Sequence, residues 1–240
     1  MRLTARSTAA IAAAGLTALA VLAPFAPVRA DDAARALPAP ALDGAPPTPG
    51  LQTAIFAGGC FWGIQGVFEH VTGVTQAVSG YAGGTLANPS YEDVSAGTTG
   101  HAESVRVTYD PARVSYGKLL QIFFSVALDP TQVNRQGPDS GTQYRSDLFV
   151  TNPSQDHTAR AYIAQLTAAH AFPRPIATRI DPAPAFYPAE PYHQDYLVHH
   201  PNAFYIEVND LPKVRALQAL FPQSWQDPPV LTAPPAKSAS

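Results

Sequence analysis

The 240-residue chain holds one cysteine, and its setting makes it a candidate nucleophile: Gly58-Gly59-Cys60-Phe61-Trp62-Gly63. Paired glycines permit a tight turn with close backbone approach. Before them, Ala54 to Ala57 is a short apolar run that reads as a buried strand, and after them Phe61, Ile64, Val67, Phe68 and Val71 recur at helical spacing. Cys60 is therefore expected at a strand-to-helix junction. The first amides of a helix lack partners and carry the positive end of its dipole, so the thiol pKa is expected to fall. Phe61 and Trp62, adjacent in a first helical turn, cannot both face the core, which leaves at least one to wall an apolar pocket beside the sulfur. The alternative is that both are packing aromatics, one on the sheet and one on the next loop.

Two more stretches could supply the other half of a reaction. Glu103, in Gly100-His101-Ala102-Glu103, opens an alternating segment to Tyr109 and shares a face with Val105 and Val107. If that face is buried, desolvation raises the carboxyl pKa and keeps a proton on it near neutrality, giving a general acid that faces a nucleophile. Residues Arg135 to Arg145 form a polar, glycine-punctuated loop in which Asp139 and Tyr144 offer an acceptor and a hydroxyl. A different chemistry uses the same cysteine. Cys60 with His101 or His193, oriented by Asp139 or Asp195, would be a cysteine hydrolase or acyltransferase, though Glu103 would then have no task. A non-catalytic module displaying Phe61 and Trp62 is a third reading. Metal binding is not expected, because no cysteine pair or second motif completes a site around His193, His199 and His200.

The elements that must hold these residues alternate. Val74 to Tyr81, Glu103 to Tyr109 and Asp147 to Val150 read as further strands. Tyr116 to Ala127 reads as a helix apolar nearly all round, and Asp210 to Phe221 as a last amphipathic one. Asn152-Pro153-Ser154-Gln155 has the order of a helix start, with the helix expected to run to about His170 on an inner face of Tyr162, Ile163, Leu166 and Ala169. Strands and helices in this order imply a two-layer α/β (α+β) domain.

Composition bounds the rest. With 46% hydrophobic and 14% charged residues, a net charge of −3 and no basic run, the chain has the makings of one core and nothing that suggests nucleic acid as a partner. Arg2 and Arg6 precede an uncharged run from Ala9 to Ala23, and Val28-Arg29-Ala30 has the form of a cleavage site, so residues 1–30 read as a signal peptide too short in its apolar part to span a bilayer. Cleavage would also remove Met1, the only methionine, leaving no thioether to oxidise. Residues 31–50, rich in proline and alanine, read as a disordered linker, residues 51–226 as the folded domain and residues 227–240 as a disordered tail.

The three chemical stretches, with two more, closely resemble the A-type methionine sulfoxide reductases over roughly residues 52–222. The matching segments are Gly59-Cys60-Phe61-Trp62, Gly80 to Gly84 followed by Asn88-Pro89-Ser90-Tyr91, Gly100 to Glu103, Gly137-Pro138-Asp139 with Gly141 to Ser146, and Tyr192 to Leu197. The resemblance implies a ferredoxin-like mixed sheet with helices and reduction of the S epimer of methionine sulfoxide. In that chemistry Cys60 attacks sulfur, Glu103 protonates the oxygen and Tyr91 and Tyr144 hydrogen-bond to it. Phe61 and Trp62 hold the substrate methyl, and Asp139 binds its backbone. No cofactor is implied. Many members carry further cysteines near the C-terminus that resolve the oxidised nucleophile, whereas Pro201 to Phe221 has none. An external dithiol, such as a thioredoxin-like protein, is then expected to reduce the Cys60 sulfenic acid. Signal and resemblance together place the expected enzyme in the periplasm, acting on oxidised proteins, with no membrane insertion after cleavage.

Overall fold

The computed structural model describes residues 34–43 and 50–232. Its main elements are β1 (Gln52–Gly58), α1 (Phe61–Glu69), β2 (Val74–Ala82), the short α2 (Tyr91–Ser95), β3 (Ala102–Tyr109) and α3 (Tyr116–Ile122). After the two-residue strands β4 (Arg135–Gln136) and β5 (Asp139–Ser140) come β6 (Ser146–Val150), α4 (Pro153–Ala168), β7 (Arg179–Pro182), β8 (Phe186–Pro188), α5 (Tyr196–His199) and α6 (Leu211–Leu220). The large sheet has the order β7-β6-β1-β3-β2-β8. Every neighbouring pair in it is antiparallel except β6 with β7. Its inner four strands, β6-β1-β3-β2, are linked as two interleaved strand–helix–strand units, which is the ferredoxin-like topology expected. The edge strands β7 and β8 have no counterpart in the sequence reading.

Strand parity decides which face is the core. Ala54 and Phe56 of β1, Ala77 and Tyr81 of β2, Val105 and Val107 of β3 and Leu148 of β6 are buried against Ile64, Val67 and Phe68 of α1 and Leu119 and Leu120 of α3. Each valine, leucine, isoleucine or phenylalanine side chain removed from water contributes about 1.5–3 kcal/mol. The far face holds only a small cluster, Ile55, Ala57, Ala82, Ala102 and Phe149. The expected helix over 116–127 stops at Ile122, and Phe123 to Ala127 form a wider, π-type turn that is buried throughout. In α4 Asn152 caps the start, accepting from the Gln155 N–H at 3.0 Å. The Gln155 side chain turns instead to the Thr151 N–H and the Thr53 carbonyl, tying the helix to β1. Ala169, expected on the inner face, lies exposed beyond the helix end.

Both ends of the domain extend further than the sequence implied. Residues 34–43, expected to be part of a disordered linker, pack on the helices. Leu37 is buried, its N–H donates to Ser125 Oγ at 3.1 Å and its carbonyl accepts from Gln121 at 2.7 Å. Tyr162 donates to the Pro38 carbonyl and Gly117 N–H to Asp43. A proline-rich strand has few N–H groups to satisfy but a full row of acceptors, and the helices' side chains use them. Likewise the first six residues of the expected tail follow α1. The Val230 N–H donates to the Glu69 carbonyl at 3.0 Å and the Thr232 N–H to Asp195 at 2.9 Å. The expected signal peptide (1–30), linker residues 31–33 and 44–49 and tail residues 233–240 lie outside the described residues. No helix among the described residues is long and apolar enough to cross a membrane.

Candidate active site

Cys60 is the residue before α1, at its N-cap, with an extended backbone (φ −53, ψ 124). The turn that delivers it depends on Gly59, whose φ of +101 disfavours any side chain and whose Cβ would lie 2.5 Å from Gln136 Cβ of β4. Close approach of β4 to the cysteine is thus written into one glycine. The junction expected from the sequence is present, but the expected fall in thiol pKa is not. Burial raises it well above its ordinary value, and the nearby Glu103 and Asp210 carboxyls raise it further. A hydrogen bond from the Trp62 backbone and the Lys213 charge pull the other way and lose. At 8% exposure the cost of desolvating a thiolate outweighs a few partial charges at the start of a nine-residue helix. Cys60 is therefore held as a thiol.

Glu103 sits opposite Tyr81 on the buried face of the sheet, 3% exposed. Its Oε2 accepts the Phe61 N–H at 3.0 Å, satisfying the first orphan amide of α1 and fixing the carboxyl beside Cys60. Burial pushes its pKa up to about 8, despite that hydrogen bond, and Asp139 and Asp210 add to the rise. The expected rise in the carboxyl pKa is present, with burial as its largest cause.

Cys60, Glu103, Tyr91, Tyr144, Phe61, Trp62 and Asp139, the seven residues singled out in the sequence, line one cavity of about 180 Å³. That is room for one small side chain. An eighth lining residue, Tyr205, was missed. Its hydroxyl donates a short hydrogen bond to Asp139 Oδ2, and its ring meets Trp62 edge-on with centroids 5.9 Å apart. Trp62 is also stacked on Tyr196 at 3.8 Å, and its indole N–H donates to His193 Nδ1 at 3.1 Å. Four rings thus set the orientation of the wall. Tyr91 is held from behind by Glu190, which accepts its N–H at 2.8 Å and the Tyr81 hydroxyl at 2.9 Å. The one signal in the sequence is the aromatic pair of Ala203-Phe204-Tyr205, which no motif links to Asp139.

Neither His101 nor His193 lines the cavity, though His193 Nε2 is buried without a hydrogen-bond partner among the described residues. His101 accepts from the Gly84 N–H at Nδ1 and so donates to the Leu86 carbonyl from Nε2, leaving no nitrogen for Cys60. His193 uses Nδ1 on Trp62, and burial lowers its pKa. Asp195 accepts from Gln65 at 3.2 Å and from the Thr232 N–H at 2.9 Å. No group of three or more His, Cys, Asp or Glu among the described residues could hold a metal ion.

Fold and site together define a ferredoxin-like sheet that holds a cysteine and a buried carboxyl in one aromatic pocket, the makings of a cysteine-dependent enzyme. Comparison with known proteins gives the same class a family. The profile described as peptide methionine sulfoxide reductase matches residues 52–225. The chain is 59% identical over 183 residues to peptide methionine sulfoxide reductase MsrA 2 of Mesorhizobium japonicum, covering 76% of this chain and 94% of that one. It is 54% identical to MsrA 2 of Synechocystis sp. over 74% of this chain and 81% of that one. Among solved structures, methionine sulfoxide reductase A of Corynebacterium diphtheriae superposes with a TM-score of 0.55 at 35% identity, over 74% of this chain and 92% of that one. The chain belongs to the peptide methionine sulfoxide reductase family.

Proposed function

We propose that the protein reduces the S epimer of methionine sulfoxide, free or in oxidised proteins, with Cys60 as nucleophile and Glu103 as general acid. The observation that carries this reading is the neutral, buried Glu103 anchored on the Phe61 amide beside the thiol. A sulfoxide sulfur is a poor electrophile until its oxygen is protonated, and a carboxyl with pKa about 8 still holds its proton at pH 7. As Cys60 Sγ bonds to the substrate sulfur, Glu103 passes its proton to the oxygen and takes up the one the thiol sheds. The sulfur–oxygen bond then breaks as the hydroxyl moves onto Cys60 Sγ, and the bond between Sγ and the substrate sulfur breaks with its electron pair left on that sulfur, giving methionine and a Cys60 sulfenic acid with no net change in charge. The raised thiol pKa suits this exchange, because the anion forms only as the acid delivers.

Tyr91 and Tyr144, whose own pKa values burial raises, keep their protons and donate to the oxygen as charge builds on it. Phe61 and Trp62 take the substrate methyl, and Asp139, held by Tyr205, accepts from the backbone N–H of the methionine. No second cysteine exists to resolve the sulfenic acid. One thiol of an external dithiol, such as a thioredoxin-like protein, forms a mixed disulfide and releases water, and its second thiol frees Cys60. The charged, apolar and small-residue order of residues 1–30 supports export to the periplasm. Steady-state turnover of separated S and R epimers, with each candidate dithiol and with Cys60→Ser beside the wild type, tests the proposal. Turnover of the S epimer alone, lost in Cys60→Ser, supports it; equal use of both epimers, or an active Cys60→Ser, contradicts it.

A further inference from the structure

We infer that Arg145 is a positioning residue for sulfoxide reduction: its guanidinium clasps the loop that carries Tyr144 to the strand that carries Glu103. The inference rests on the role given to Tyr144 above. Arg145 is only 7% exposed, and a buried guanidinium persists only where its donors are matched. Here its Nη1 donates to two carbonyls at 3.1 Å, Gly100 O and Thr142 O, while Nε donates to Asp147 Oδ2 at 3.2 Å. Each partner leads into the site along a different segment. Gly100 is on the run into β3 and lies three residues before Glu103, and Thr142 lies two before Tyr144. Asp147, fully buried on β6, pairs with Ala57 of β1, three residues before Cys60. The ladder of β1 with β3 already fixes the strands of nucleophile and acid to each other, and one planar group ties the phenol's loop to both.

The first half of the loop has its own anchors: the two-residue ladder of β4 with β5, the Gln136 side chain on the Asp129 backbone and Tyr205 on Asp139. Around Tyr144 the other side-chain ties to neighbouring segments are long, Gln143 to the Ser95 carbonyl at 3.3 Å and Thr142 to the Gly97 carbonyl at 3.5 Å. Room for the guanidinium is kept by Gly83, where φ is +87 and a Cβ would lie 2.5 Å from Nη2. A lysine at this position keeps the charge beside Asp147 but lacks the rigid fork that spans two carbonyls. A shift of about 1 Å in a reacting group costs on the order of 100-fold in rate.

Arg145→Lys, Tyr144→Phe and the double variant form the test, with kcat and KM read on one S-sulfoxide peptide. Tyr144→Phe is expected to lower kcat about tenfold or more, and Arg145→Lys about 10- to 100-fold, with KM within about threefold of wild type. Because Arg145 acts through Tyr144, the double variant should be no slower than about threefold below the worse single one. Multiplied losses, or Arg145→Lys at wild-type kcat beside a slow Tyr144→Phe, overturn the inference and leave the proposed function standing. Tyr144→Phe at wild-type rate removes the role of Tyr144, and the inference with it. Should Arg145→Lys fail to fold by circular dichroism, Asp147→Asn replaces it in the cycle, with the same non-additivity expected and the same multiplied losses overturning it.

Discussion

Glu103→Gln should make the enzyme far slower and more stable at once. Glutamine keeps an oxygen for the Phe61 N–H but has no proton to give. With a pKa of about 8, about nine-tenths of the carboxyl is protonated at pH 7, against about 0.3% at the ordinary 4.5. Burial thus supplies the acid form roughly 300-fold more often, and the fold bears the cost. The folded-state pKa lies above the unfolded value, so between about 4.5 and 8 the folded chain binds more protons. Stability contributed by this group is accordingly full at low pH and lost as pH rises through that window. The loss integrates to about 3 kcal/mol at pH 7, an upper figure. Glutamine does not ionise and escapes it. Urea denaturation of both proteins at pH 4.5, 7 and 8.5, with initial rates at pH 7, reads both effects. Stabilities should be similar at pH 4.5, with the variant ahead by a few kcal/mol at pH 7 and its rate down about 100- to 10,000-fold. A variant within tenfold of wild-type rate, or one less stable at pH 7, would refute the reasoning.

Three further outcomes follow from the same geometry. The wild-type rate should fall above about pH 8 as Glu103 loses its proton, and a flat profile from pH 7 to 9.5 would contradict the acid assignment. Tyr205→Phe, which strips Asp139 of its hydroxyl donor, should raise KM about tenfold with a smaller effect on kcat, as steady-state kinetics would show. Leu37→Ala should cost about 2–5 kcal/mol in chemical denaturation if the 34–43 segment docks as described; a cost near zero would mean it does not.

Local pattern made much of this architecture legible. The alternation of Glu103 to Tyr109 placed the acid on the core face, because strand parity is fixed wherever one face is buried. The glycine pair before Cys60 marked the junction, since the backbone there has a shape and a clearance only glycine allows. Other features depend on contacts distant in sequence. The thiol pKa was misjudged because helix-end polarity is local, whereas the burial and the Asp210 carboxyl that override it come from the whole fold. Tyr205 lies 66 residues from the Asp139 it holds, and no spacing rule links them. Proline-rich composition suggested disorder at both ends, yet Leu37 and Val230 show that such segments dock where helices offer donors and a gap.

The central claim is that Cys60 sulfur takes the substrate's oxygen. Reduced protein mixed with one equivalent of S-sulfoxide peptide, without any reductant, and read by intact-mass and peptide mass spectrometry tests it most directly. One equivalent of reduced peptide should appear together with a gain of about 16 Da at Cys60, captured by a sulfenic-acid reagent. Reduced peptide without any change at Cys60, or an oxidised Cys60 with the sulfoxide intact, would contradict it.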